Sequence, residues 1–331
     1  MPARTVTFAA LSTSCLLIAT MSAGCSDGSP SSAEAERRAA AAPALGKAQA
    51  QQVLASYTAG ANQAGRRLDG KALRTIEADP QLSMDDASLR LRRAINRRAP
   101  KLTFTNTAYY IPRLSGYPHW FAVGAVTGKG KRALRHALLF TQAKAGAPWL
   151  LSANPYPAGD ALSRVAVDPD GFATAVATDE KNGLAVAPGK LPEAHAALLT
   201  DGPRASDASV LADGAQTSET YKALKNGEKT LAGRGVTLSS RFSPSRYRVF
   251  ALRTKDRGAL VWYVLKQNEA YSSSQRGRLT VGGDLLGLAP ARAARTRMDT
   301  TVLVQYLAAV PPKGRATVTG IYRKAVIAHG S

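Results

Sequence analysis

The chain offers few side chains capable of chemistry. Its four histidines, His119, His136, His195 and His329, never fall three or four residues apart. A helical metal pair is therefore excluded, and any metal site would need the fold to assemble its ligands. His119 opens a segment with strand character and His136 lies in the next, so neighbouring strands could bring the two imidazoles into one cavity. Asp168 and Asp170 precede Gly171 as in a calcium loop, but Phe172 and Asp179 occupy positions where that loop needs ligands of another kind, so the run reads as a tight turn. Asp85 and Asp86 are adjacent, which sends them to different sides of a helix and unsuits them as an acid–base pair. No serine elbow, penicillin-binding Ser-x-x-Lys or phosphate loop is present. The expected catalytic set is therefore empty, and no metal or other cofactor is expected.

The two cysteines, Cys15 and Cys25, both lie near the start. Arg4 is followed by an uncharged stretch, Thr5 to Gly24, with an apolar centre at Leu16, Leu17 and Ile18, the layout of an export signal. It ends in Ser22-Ala23-Gly24-Cys25, which resembles a bacterial lipobox with Ser22 in place of the usual leucine. This reading makes residues 1–24 a lipoprotein signal peptide and Cys25 the acylated residue. It holds the protein through palmitate-type chains at the outer face of the cytoplasmic membrane. Secretion after cleavage near Ala23 and retention as a short anchor are the alternatives.

Charge is the chain's most marked property: 44 Lys plus Arg against 23 Asp plus Glu, a net +21. Residues 26–159 carry +11, residues 160–221 carry −6 and residues 222–331 carry +15, so two basic blocks flank an acidic connector able to dock on one of them. The densest clusters give the candidate anion-binding residues: Arg90, Arg93 and Arg97 with their neighbours Arg92 and Arg98; Lys129, Lys131, Arg132 and Arg135; and Arg292, Arg295 and Arg297. For an exported protein the polyanions at hand are anionic phospholipids and phosphate-bearing wall polymers. Nucleic acid is not expected, since the compartment is wrong and no recognition motif occurs.

The elements that must position these groups follow from periodicity. Residues 25–46 form a Ser- and Ala-rich tether. Val53, Tyr57, Ala61, Ala64 and Leu68 lay one apolar stripe along a helix, and a second helix opens at Ser83 with Asp86 as capping partner and stops before Pro100. Strands are expected from Leu102 to Tyr110, Trp120 to Thr127, Ala133 to Ala143 and Trp149 to Asn154, each half-buried. A small meander over 160–190, helices over 192–231 and six further strands follow, one of them spanning Leu279 to Leu288. The expected fold is α+β: tandem modules at 47–159 and 191–331, joined by the 160–190 connector, each with helices on a curved antiparallel sheet. The order of elements repeats between the halves and suggests a duplicated unit.

Leu138-Leu139-Phe140 through Pro148-Trp149-Leu150, then Asp168-Pro169-Asp170-Gly171-Phe172-Ala173, then Leu184-Ala185-Val186-Ala187-Pro188 resemble an uncharacterised family of actinobacterial lipoproteins. The resemblance implies location and architecture but no active residues. At fold level the layout also resembles the nuclear-transport-factor-2-like cone, which implies a possible mouth between helices and sheet. Two functions are carried forward. One is a non-enzymatic envelope lipoprotein that binds an anionic envelope component or a protein partner. The other is a pocket-bearing ligand binder or cryptic enzyme with His119 and His136 inside.

Overall fold

A computed structural model describes residues 43–275, 279–289 and 296–331. The first helix, α1 (Lys47–Arg67), forms where the apolar stripe predicts it and buries Leu54, Tyr57 and Ala64. A single turn, α2 (Gly70–Leu73), is capped by Asp69, whose carboxylate accepts hydrogen bonds from the Lys71 and Ala72 amides. Helix α3 (Gln81–Ala94) starts two residues before the expected Ser83. The acceptor that holds its first turn is Asp79, which takes bonds from Ser83 N (3.2 Å) and Ser83 Oγ (2.5 Å); Asp86 is not the capping partner.

Strands β1 (Thr105–Tyr110), β2 (His119–Thr127), β3 (Leu134–Gln142) and β4 (Leu150–Ala153) make an antiparallel meander in that order. The larger sheet has the order β5-β10-β9-β8-β6, from β5 (Tyr156–Pro157), β6 (Thr237–Pro244), β8 (Ala259–Ser272), β9 (Arg297–Val310) and β10 (Thr317–Gly330), with β7 (Phe250–Arg253) also pairing with β8. Two helices, α4 (Leu191–Asp201) and α5 (Ser218–Ala232), precede β6. The protein is α+β, with antiparallel sheets.

Three differences from the sequence expectations have plain causes. The small meander at 160–190 makes only isolated bridges: Val167 pairs with Ala173 within it, while Val165 reaches Thr254 and Ala175 reaches Leu252 of β7, so most of its pairing is spent outward. Within Leu279–Leu288 a 3-10 turn, Gly283–Gly287, replaces the strand, as three nearby glycines and Asp284 favour a turn. The halves also differ in pairing. β2 lies between β1 and β3, whereas the long β8 pairs with both β6 and β7.

The sheets are buried on both faces, not one. Phe121, Val123, Leu138, Phe140 and Leu151 pack under α1 with Leu54 and Tyr57. Trp120, Ala122, Leu139 and Ala153 meet Leu260, Trp262 and Leu307 of the larger sheet. Beyond these, Val261, Tyr263, Val304 and Tyr306 pack under α4 through Leu191, Leu198 and Leu199. Alternate strand residues thus feed adjacent layers, so β2, β3 and β8 carry unbroken buried runs. The shared middle layer accounts for residues Ala41–Ser331 gathering as one compact unit.

Candidate functional site

The two sides of α3 have opposite chemistry, and the spacing of its residues explains why. Positions 81, 85 and 88 repeat on one side and positions 86, 90 and 93 on another, each set stepping by four and three. The second set faces a groove of about 1170 Å³. Asp69, Lys71 and Arg74 from the α2 turn form one wall, Asp86, Arg90 and Arg93 of α3 another, and Leu286 with Gly287 of the 3-10 turn close it.

Two glycines allow this close assembly. A Cβ on Gly70 would lie 1.9 Å from Asp86 Oδ1, and one on Gly287 would lie 2.4 Å from the Leu91 amide nitrogen. Each carboxylate of the groove is already engaged: Asp69 caps α2, Asp79 holds Ser83, and Asp86 Oδ2 is 2.7 Å from Arg90 Nη2. Arg93 Nη2 donates to the Leu68 carbonyl. Lys71 and Arg74 form no ion pair among the described residues, and both are exposed. The groove therefore presents free cationic donors, an arrangement suited to phosphate or carboxylate oxygens.

The expected anion-binding residues do not form one site. Arg90 and Arg93 line the groove, while Arg97, beyond the end of α3, does not. Lys129, Lys131, Arg132 and Arg135 stand exposed at the β2–β3 turn with no carboxylate partner among the described residues. Arg297 is neutralised by Asp299 at 2.7 Å. Arg292 and Arg295 lie outside the described residues, as does Cys25. Lys71 and Arg74 were missed by sequence reasoning, because one helical turn carries no periodic signal and only their spacing of three hinted at a shared side.

The acidic connector does dock on basic residues of both flanking blocks. Asp168 and Asp170 reach Arg113 at 3.3 and 2.8 Å, and Glu180 reaches Arg253 at 2.6 Å. These pairs compensate other arginines and leave Lys71 and Arg74 of the α3 groove and the cations of the β2–β3 turn without carboxylate partners among the described residues.

The inner side of α3 carries a buried polar seam. Gln81 Nε2 donates to Asp85 Oδ2 at 2.9 Å, and Tyr322 Oη donates to Asp85 Oδ1 at 3.0 Å. Gln305 Nε2 donates to Gln81 Oε1 at 3.0 Å, and Gln305 Oε1 accepts from the Asn154 amide at 2.6 Å. His136 continues the chain, with Nδ1 3.1 Å from Asn154 Oδ1 and Nε2 2.8 Å from Thr127 Oγ1. Glu77, 2% exposed, takes a weak bond from Tyr57 Oη at 3.4 Å, and its Oε2 has no hydrogen-bond partner. Burial first, and then the Asp85 charge, push the Glu77 carboxyl well above the usual range. Burial also raises Asp85, though bonds from Gln81, Tyr322 and Glu77 oppose it, so the rise is larger at Glu77. Burial drives His136 down to about 4, and His195, enclosed by Tyr263 and the Gln216 carbonyl, also to about 4. Neither carboxyl of the seam lines the groove. The seam ties α3 to the sheets, and at its far end His136 lines a separate cavity of about 320 Å³ with Tyr110 and Asp160.

The two imidazoles that neighbouring strands could have brought together, His119 and His136, stay apart. His119 pairs in register with Gln142 and His136 with Ala125, which sets them near opposite ends of β2 and β3. His119 instead stacks on Tyr117 at 4.0 Å. Among the described residues no cluster of three or more His, Cys, Asp or Glu side chains converges as metal ligands, and no helix is long and apolar enough to cross a membrane.

The fold is that of an α+β protein with antiparallel sheets, and comparison with known proteins gives it a family. The model of a domain of unknown function, DUF8094, matches residues 41–331, and the chain belongs to that family. It is 30% identical to an uncharacterised lipoprotein of Streptomyces avermitilis over 72% of this chain and 71% of that one. It is 25% identical to an uncharacterised lipoprotein of Streptomyces coelicolor over 84% of each. The expected kinship with actinobacterial lipoproteins thus holds. No solved structure matches the chain, and the cone resemblance carries no argument about the site.

Proposed function

We propose that this protein is a lipid-anchored cell-envelope protein, tethered through Cys25 at the outer face of the cytoplasmic membrane, that binds a phosphate-bearing envelope polyanion through the α3 groove. One observation carries the reading: Lys71 and Arg74 stand unpaired beside Arg90 and Arg93, while every carboxylate of the groove is held by its own chain. The lipoprotein names of the relatives, together with the signal-like residues 1–24, support the anchor. The unpaired cations of the β2–β3 turn, Lys129, Lys131 and Arg132, form a second contact of the same sign. A Lys or Arg near an anionic surface contributes about 1 kcal/mol, so Lys71, Arg74 and Arg93, with Arg90 shared with Asp86, suffice for reversible capture once the anchor has raised the local concentration.

Sedimentation of residues 26–331 with phosphatidylglycerol vesicles, and separately with purified wall polymer, tests this. Binding at low salt to at least one of them, weakened by adding salt, is expected; no binding to either would overturn the reading.

A further inference from the structure

A second cavity, of about 270 Å³, lies where the two sheets meet on the other side of the Ala78–Pro80 turn. Its lining is apolar: Leu139 and Trp262, each 1% exposed, form the floor as part of the layer packed between the sheets, and the partly exposed Phe250 stands beside them. Trp262 is held rigid by its indole N–H, which donates to the Ala137 carbonyl at 3.0 Å, and Phe250 packs on Trp120 with ring centroids 5.2 Å apart. Thr141 and Ser152 also line it, but their hydroxyls are bonded to each other at 2.5 Å and make little claim on a ligand.

The mouth has a different character. Arg246 and Arg248 line it, both exposed, and neither forms an ion pair with a carboxylate among the described residues. Tyr247 lies between them, and partial burial raises its hydroxyl above the ordinary range, so it is a donor at neutral pH. Asp79 is the only carboxylate of the lining, and its Oδ1 is engaged by Ser83. Two guanidiniums against one carboxylate leave a single net positive charge at the mouth of an apolar slot.

We infer that this cavity binds a small amphipathic monocarboxylate, with its hydrocarbon part against Trp262, Phe250 and Leu139 and its head group at Arg246 and Arg248. Apolar walls with a few polar groups at one end are what such sites share. Taking about 30 Å³ for each water-sized group, the volume holds about nine of them, which suits a short acyl chain or one substituted ring and excludes a membrane lipid's full tails. Planar guanidiniums suit a carboxylate in particular, because they can meet both of its oxygens. This site is independent of the α3 groove, which shares only Asp79 with it.

The test is isothermal titration of residues 26–331, which contain the whole compact unit, with octanoate, octan-1-ol and octylamine in parallel. Octanoate is expected to bind one molecule per chain, at least fivefold more tightly than octanol, with octylamine weakest. The double variant R246A/R248A should lose at least fivefold in octanoate affinity, whereas K71A/R74A in the groove should leave it unchanged. Both pairs are exposed, so folding is not at stake. Failure of octanoate to bind at millimolar concentration, equal binding of octanol and octanoate, or wild-type affinity in R246A/R248A would each overturn the inference. None of these results bears on polyanion binding at the groove.

Discussion

Asp85 and Asp86 are neighbours on one helix, yet they live in different electrostatic worlds. Asp85 faces inward, accepts bonds from Gln81 and Tyr322, and shares a largely enclosed seam with Glu77, whose carboxyl burial pushes well above the usual range. Asp86 faces the groove, where it meets Arg90 in solvent across one helical turn. The inner side is therefore governed by burial and protons and the outer side by long-range charge and salt. A charge in water is screened within about 8 Å at physiological ionic strength, whereas a buried carboxyl feels its neighbours at nearly full strength.

The sharpest test of this contrast is a pH titration of stability by urea unfolding. His136 and His195 are held at about 4, below the ordinary 6.5, so each favours folding while neutral. That contribution is present above pH 6.5 and is lost as pH falls from 6.5 towards 4, at about 3 kcal/mol for each histidine. Glu77 and Asp85 are raised, so their contribution has the opposite sign: present in full below pH 4 and lost as pH rises through their elevated values. Between pH 4 and 6.5 the two contributions oppose each other, so the histidine part is read by difference: His136→Asn should remove about 3 kcal/mol of acid sensitivity relative to wild type, and an unchanged acid slope in that variant would contradict the histidine assignment.

Next in size is Asp85→Ala, expected to cost about 2 kcal/mol at pH 7 because Gln81 and Tyr322 lose a buried acceptor. Removing the adjacent Asp86 should cost less than about 1 kcal/mol, as expected of an exposed pair one turn apart. If both losses were equal, the division of α3 into two environments would fail. Glu77→Gln is smaller again. It should be close to neutral near pH 5 and should gain steadily relative to wild type as pH rises to 8, because the amide needs no proton to stay uncharged. An unchanged pH profile in that variant would place the proton elsewhere in the seam.

The same contrast explains what the sequence could disclose. The stripe Tyr57-Ala61-Ala64-Leu68, the edges of β2 to β4 and the opposite facing of Asp85 and Asp86 are local matters of period, and local residues encode them. The stacking of two sheets face to face is not local. Alternation shows which residues of β2 share a side, but not that Trp120 will find Trp262 more than 140 positions later. The groove was half visible for a similar reason: Arg90 and Arg93 declared themselves as a cluster, whereas Lys71 and Arg74 join them only because Gly70 and Gly287 let backbone and carboxylate approach closely. The seam was hidden altogether. Glu77 stands apart from the acidic runs, and its character comes from burial beside a residue eight positions away.

The central claim, that the outer side of α3 is a polyanion surface, is tested most directly by the salt dependence of binding to phosphatidylglycerol vesicles and to purified wall polymer for residues 26–331, wild type against K71A/R74A/R90A/R93A, read on whichever of the two the wild type binds. At about 1 kcal/mol per residue, the quadruple variant should bind on the order of 100-fold or more weakly at low salt, with a markedly shallower decline as salt is added and stability within about 1 kcal/mol of wild type. Equal affinity and an equal salt slope in the two proteins would contradict the account and leave the basic side of α3 a solvated surface.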